Sequence, residues 1–356
     1  AAVIEALVAL APCRVGGGVR TVEAATRWLD RGAVSVVLGT AARPEILQAL
    51  PRERVVAALD ARHGEVVVEG WRKATGRGVL ERIAELRDLV GGFLVTFVER
   101  EGRLQGTDLD LARQIRAAAG DVRVTIAGGI TTAEEVAALD RLGCDAQVGM
   151  ALYTDQLGLA EAFAAPLASD RPDGLWPTVV VDERGTALGL VYSDLESLRA
   201  ALERRQGVYH SRSRGLWIKG QSSGAVQELL RVDADCDRDC LRFTVRQERG
   251  FCHLATRTCW GPDQGLGALA RRLAARRQAP PPGSYTARLL GDPALLGAKL
   301  REEAKELAEA TARDHVVHEA ADVLYFTLTR LAQDGIDLAE VEAALDRRAL
   351  KVTRRD

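Results

Sequence analysis

Through residue 163, short runs rich in Val, Ile and Leu alternate with Ala/Leu/Glu/Arg patterns of helical period. Repetition of this kind predicts βα units around a parallel sheet, because parallel neighbours need a crossover helix between them. Strands are expected at residues 14–15, 35–39, 55–60, 92–98, 123–127 and 146–150, which makes six units. Any edge that such a sheet leaves exposed must be covered.

The pattern then changes twice. A stretch with Pro166, Arg171, Pro172 and Gly174 marks a first boundary. Beyond it, alternating strands with turn signals and one helix near residues 194–205 predict a mainly β, α+β unit. Ala279-Pro280-Pro281-Pro282-Gly283-Ser284 reads as a second linker. The remainder is helical throughout. The expected segments are 1–165, 174–263 and 284–356.

A chain of 356 residues with 47% hydrophobic and 28% charged residues is globular in composition. No apolar run reaches the roughly 18 residues of a membrane span, and no targeting segment is visible, which makes the cytoplasm the expected compartment. A net charge of −2 gives no global attraction to nucleic acid or membranes. The first residue is Ala, so the natural beginning is expected to be missing.

Four of the six cysteines, Cys236, Cys240, Cys252 and Cys259, are clustered, which in a reducing compartment points to metal ligation. Cys13 and Cys144 are expected to be ordinary buried thiols. The run Asp235-Cys236-Asp237-Arg238-Asp239 follows an apolar stretch. On a strand its three aspartates would share one face at about 7 Å spacing, with Cys236 on the other. Such like charges need a cation, and oxygen donors suit Mg²⁺. Cys252-His253 and Cys259 supply further zinc-type ligands, and a three-cysteine centre keeps a position for water.

Upstream, residues 211–224 read SRSRGLWIKGQSSG. The hydroxyls and cations of Ser211, Arg212, Ser213, Arg214, Lys219, Ser222 and Ser223, with Gly224, make a phosphate cradle. A solvated acidic turn beside unligated cysteines is the bland alternative.

With these motifs in this order, residues 174–261 resemble phosphoribosyl-AMP cyclohydrolase. The resemblance implies zinc on Cys236, Cys252 and Cys259, shared across a homodimer interface. It implies Mg²⁺ on Asp235, Asp237 and Asp239, and proton transfer by His253. Cys240 falls outside the motif and is expected to be structural. Water activated by zinc would attack adenine C6, and the bond to N1 would break.

In the helical part, Glu303 with Glu306 and Glu319 with Asp322 are like-charge pairs on shared helix faces. Facing pairs would build a four-carboxylate nest for Mg²⁺. A solvated face partly neutralised by Lys299 and Lys305 is the alternative, but the apolar surroundings of Glu319 and Asp322 make unpaired charge costly there. Residues 300–325 resemble phosphoribosyl-ATP pyrophosphohydrolase, an all-α relative of MazG-type pyrophosphatases, with Glu302 beside the matching positions. Its product is the cyclohydrolase substrate. The expected ligands are therefore these two nucleotides, without nucleic acid or membrane.

The first segment resembles the (β/α)₈ barrel of ProFAR isomerase, from its strand 3 to its strand 8. Gly17, Gly18, Gly128, Gly129 and Gly149 would bind substrate phosphates through backbone N–H groups, or serve only as turn glycines. The resemblance places one acid/base aspartate on a first strand not present here and a second where this chain has Glu101. No isomerase activity is expected. The order of segments is similar to fungal-type multifunctional histidine proteins, in which a histidinol dehydrogenase follows; the chain stops before it.

Overall fold

The computed structural model describes residues 2–353. The expected outer bounds, Ala1 and Asp356, lie outside the described residues.

The first unit runs α1 (Ala2–Leu10), β1 (Arg14–Gly16), α2 (Val22–Asp30), β2 (Ser35–Leu38), α3 (Pro44–Leu47), β3 (Val55–Arg62), β4 (Glu65–Val68) and β5 (Lys73–Gly78). It continues α4 (Val79–Leu86), β6 (Gly92–Phe97), α5 (Leu109–Ala119), β7 (Arg123–Ala127), α6 (Ala133–Arg141), β8 (Cys144–Gln147), α7 (Met150–Tyr153) and α8 (Leu159–Ala164). Strands β1, β2, β3, β6, β7 and β8 pair in parallel and in chain order. These are the six expected strands, with ends shifted by up to three residues. The last ends at Gln147 rather than residue 150, because Met150 opens α7 behind Gly149.

Hairpin β4–β5 was not anticipated. His63 and Gly64 both take positive φ, as a two-residue turn between β3 and β4 demands, and His-Gly is a weaker signal for it than Asn-Gly. The sheet path stays open between β1 and β8. Arg14 of β1 reaches over that opening, donating to Thr125 Oγ1 at 3.2 Å and lying 4.0 Å from Asp145. Leu38, Leu59, Phe93, Val95, Phe97, Ile115 and Ile126 form the core against the helices.

The second unit contains β9 (Trp176–Asp182), β10 (Ala187–Ser193), α9 (Leu195–Arg204), β11 (Val208–Ser211), β12 (Gly215–Ile218), β13 (Gln227–Ala234) and β14 (Leu241–Gln247). Its sheet order is β12-β11-β10-β9-β14-β13, with only β14 and β9 parallel. Val180, Leu188, Leu198, Val208, Phe243 and Val245 pack around the fully buried Tyr209. Ala160, Phe163 and Ala164 of α8 join this cluster. The last helix of the expected first segment therefore covers the second core, and the change of composition near residue 166 does not mark the change of packing.

A buried polar chain braces this unit. Tyr209 donates to Gln227 Oε1 at 2.7 Å, Gln227 to Gln247 Oε1 at 2.7 Å, and Gln247 to the Arg257 carbonyl at 3.2 Å. Arg257 in turn donates to Asp182 at 3.0 Å, and Asp182 is fully buried. Burial alone would push the Asp182 carboxyl up. The hydrogen bonds from Arg257, Thr186 and Arg184 outweigh it and hold the group below its ordinary range. A depressed folded-state pKa contributes stability above the unfolded value, near 3.9, and loses it as pH falls through the lower folded value. The Asp182 contribution is thus expected to be flat from pH 7 to 5 and to fade below about pH 4. Asp182→Asn is expected to cost about 3 kcal/mol at pH 7 in urea unfolding, because it strands the Arg257 charge. A loss within the error of the titration would remove Asp182 as the brace.

The third unit is helical: α10 (Gly265–Gln278), α11 (Tyr285–Gly291), α12 (Pro293–Glu309), α13 (Arg313–Asp334) and α14 (Leu338–Ala349). Helix α10 occupies most of the stretch left between the second and third expected segments. Its Leu273 packs on Leu328 and Ala332 of α13, so the linker shrinks to the prolines after Ala279. Ser284 and Asp292 cap α11 and α12, and Gly335 ends α13 in the left-handed region at φ 73°. Among the described residues no helix is long and apolar enough to cross a membrane.

Candidate active site

The aspartate run lies in the turn joining β13 to β14, not on a strand. The Asp235 amide donates to the Cys240 carbonyl at 3.1 Å, and Arg238 takes φ 69°. Asp235 Oδ1 accepts the amides of Asp239 and Cys240, each at 3.1 Å. Strand alternation would leave neighbouring aspartates about 7 Å apart. The turn instead brings one oxygen from each of Asp235, Asp237 and Asp239 within 4.8 Å of the others. Cys236 is exposed on the same turn, so the two-faced arrangement of a strand does not apply.

Electrostatics separates the three carboxyls. Burial opposes the Asp235 charge, but the Cys240 and Asp239 hydrogen bonds hold its pKa below the usual range. Asp237 pushes Asp239 up, with smaller contributions from burial, Asp235 and Asp170. A hard divalent cation relieves this crowding, so the donor set fits Mg²⁺.

Cys252, His253 and Cys259 sit on the loop that follows β14. The Cys259 amide donates to Leu188 O at 2.9 Å and the Cys252 amide to Thr256 O at 3.1 Å. Gly189 permits this approach, since a Cβ there would lie 2.0 Å from the Phe251 ring. Cys252 Sγ is 3.7 Å from His253 Nδ1. The Leu254 amide leads the interactions that lower the Cys252 thiol, whereas burial and then Cys252 itself raise Cys259. Paired thiols of this kind suit a soft cation.

Among the described residues of one chain, Cys236 does not join Cys252 and Cys259 in a ligand group. Cys240 is half-buried and points to the Leu241 carbonyl at 3.6 Å, away from a ligand role. Cys144 is buried, its thiol raised to about 11 by burial, and Cys13 is half-buried.

Residues 211–215 form the β11–β12 turn. Arg212 lies over Tyr192 at 5.0 Å and Arg214 over Trp217 at 5.3 Å, so both guanidinium groups are held by aromatic faces. Gly220 and Gly224 take positive φ in the next loop, and a Cβ on Gly220 would lie 2.2 Å from the Ala225 backbone. Ser223 Oγ accepts the Ala225 amide, while Ser222 is exposed. Lys219 is buried at 7% exposure, over Phe251 at 5.0 Å, where burial lowers its pKa and Cys259 and Cys252 act against that.

On the facing helices α12 and α13, Glu303, Glu319 and Asp322 bring one oxygen each within 4.8 Å of the others. Glu303 and Glu319 are buried. Burial, then Asp322 and Glu306, push the Glu303 carboxyl up against the pull of Lys299. Glu306 is near enough to add charge but is not in the group of three. Glu302 is drawn to Lys299 at 2.9 Å, and Lys305 to Glu309 at 3.8 Å. Two histidines were missed. His315 Nε2 lies 3.0 Å from Glu319 Oε1 and His318 Nε2 3.5 Å from Asp322 Oδ2. The signal was present, because each histidine stands four residues before its carboxylate.

In the barrel unit, Glu101, Gly128, Gly129 and Gly149 line one small cavity. Gly128 and Gly129 take positive φ, and a Cβ on Gly129 would lie 2.3 Å from the Gly106 carbonyl, so packing alone requires them. Gly17 and Gly18 also have positive φ but face open space, and Gly149 has φ −114°.

Comparison with known proteins places these features. Residues 1–158 match the family "Histidine biosynthesis protein", residues 189–261 "Phosphoribosyl-AMP cyclohydrolase", and residues 266–349 "Phosphoribosyl-ATP pyrophosphohydrolase". The histidine biosynthesis bifunctional protein HisIE of Deinococcus radiodurans is 37% identical over 195 residues, covering 50% of this chain and 89% of that protein. The chain belongs to the HisIE family. The bifunctional protein his7 of Schizosaccharomyces pombe is 51% identical over 201 residues, 56% of this chain and 48% of its own length. The trifunctional protein of Neurospora crassa is 44% identical over 250 residues, 70% of this chain. This HisIE family member thus spans 27% of the Neurospora protein and about half of the Schizosaccharomyces one. The acidic turn and the cysteine loop fall in the cyclohydrolase match, and the helical carboxylates in the pyrophosphohydrolase match.

Proposed function

We propose that the chain carries out two consecutive hydrolyses of histidine biosynthesis. Phosphoribosyl-ATP and water give phosphoribosyl-AMP and pyrophosphate at the helical, MazG-like site. Phosphoribosyl-AMP and water then give ProFAR at the cyclohydrolase site. The observation that carries this reading is that both family-matched segments fold three carboxylates to within 4.8 Å of one another.

At the helical site Glu303, Glu306, Glu319 and Asp322 would hold Mg²⁺, which when bound would supply charge neutralisation at the phosphates being cleaved. His315 fixes Glu319 through its 3.0 Å contact. At the second site Ser211, Arg212, Ser213, Arg214, Ser222, Ser223 and Gly224 bind the substrate phosphates, and Asp235, Asp237 and Asp239 hold a second Mg²⁺. Cys252 and Cys259, with Cys236 of the partner subunit, would hold zinc, which when bound would supply Lewis acidity. His253 gives a proton to N1 as the C6–N1 bond breaks. Sharing of Cys236 requires a homodimer, and the cytoplasm is its place of work. The barrel unit has no isomerase activity, because Glu101 displaces a carboxylate whose placement matters within about 1 Å.

The test is a coupled assay starting from phosphoribosyl-ATP that follows pyrophosphate and ring opening separately. Both signals are expected, in that order, and release of pyrophosphate preferentially from ordinary nucleoside triphosphates would sink the reading. Lys219→Met is expected to weaken zinc binding about tenfold, by removing the cation beside the thiolates, while pyrophosphate release is unchanged. Unaltered zinc affinity in that variant would return Lys219 to phosphate binding.

A further inference from the structure

Arg238 stands between two of the carboxylates assigned to Mg²⁺, yet its guanidinium does not neutralise them. It turns to the barrel unit, where Nη2 and Nε lie 2.9 and 3.3 Å from Oδ1 of Asp140 near the end of α6. The Arg238 carbonyl accepts the Ala168 amide at 2.8 Å. Its backbone holds φ 69°, a conformation that a residue with a Cβ adopts at a cost. Among the described residues, Asp140 is the sole ion-pair partner of Arg238.

An ion pair of this exposure, 41% for Arg238 and 29% for Asp140, contributes little stability. Its consequence is where the charge sits. A guanidinium tethered within the triad has a high effective concentration there and binds carboxylates in a fork. Released, it would fill the site a divalent cation needs.

We propose that Asp140 is a positioning residue for the cyclohydrolase site: by holding Arg238 against α6 it keeps the guanidinium off Asp235, Asp237 and Asp239. The barrel unit thereby contributes to ring opening without chemistry of its own. The inference rests on the assignment of that triad as a cation site.

Mn²⁺ is the probe, titrated by electron paramagnetic resonance into the full chain carrying Glu319→Gln, so that the helical carboxylates do not dominate the signal. Asp140→Ala is expected to weaken Mn²⁺ binding about fivefold, the most that loss of an ion pair worth about 1 kcal/mol can shift. Adding Arg238→Asn, a neutral residue that tolerates the left-handed backbone, is expected to restore affinity to within about twofold of the parent. In the chain with Glu319 intact, the Mg²⁺ concentration giving half-maximal ring opening is expected to follow the same order, with pyrophosphate release constant. Unchanged Mn²⁺ affinity in Asp140→Ala overturns the proposal. So does a double variant as weak as the single one, which would make the contact a mere brace. Asp237→Asn is expected to abolish the titrated site; binding retained there would overturn the triad assignment itself.

Discussion

Cys252→Ala is expected to release pyrophosphate from phosphoribosyl-ATP at the parent rate and to accumulate phosphoribosyl-AMP. Ring opening is expected to fall by roughly 10³-fold or more, since Lewis-acid activation of water accounts for several kcal/mol and each 1.36 kcal/mol is tenfold. The reason lies in the loop after β14, where Cys252 and Cys259 supply two of the thiols proposed to hold zinc. Bound zinc, measured by elemental analysis, is expected to fall with activity. Ring opening preserved at the parent rate would remove zinc from the proposed chemistry, whatever the metal content.

Glu319→Gln is expected to do the converse: phosphoribosyl-ATP persists, while added phosphoribosyl-AMP is opened normally. Glu319 is 5% exposed, meets Glu303 and Asp322 within 4.8 Å, and is held by His315 at 3.0 Å. Glutamine keeps the shape and removes the charge, so the fold stands while the cation clamp loses its most buried anion. A loss of about 10²- to 10³-fold in pyrophosphate release follows from several kcal/mol of charge stabilisation. His315→Ala is expected to give a smaller loss, about tenfold, with the larger share in Mg²⁺ dependence. Pyrophosphate release unaffected by Glu319→Gln would move the hydrolysis away from these helices.

The helical carboxylates were legible because helix geometry is local: Glu303 with Glu306, and Glu319 with Asp322, share faces by spacing alone. Spacing did not say that Glu302 turns to Lys299, which depends on which face of α12 meets α13. His315 and His318 were equally legible and were passed over. At the acidic run the three aspartates do converge, but on a turn and not on the expected strand. The apolar stretch of β13 ends at Ala234, and a left-handed Arg238 gives the run a compact turn that alternation does not describe. Helix α10 fell outside the expected segments, and the leucine that anchors it finds its partners only on α13.

Amino-acid order alone determined the six βα units and the order of the cyclohydrolase-type and pyrophosphohydrolase-type segments, since period and motif are properties of neighbours in the chain. Tertiary structure decided what meets across long gaps: Lys219 over Phe251, α8 in the second core, and Asp140 on Arg238. Such encounters are fixed by which apolar faces bury one another, and burial is a property of the whole fold, with no signature at either residue.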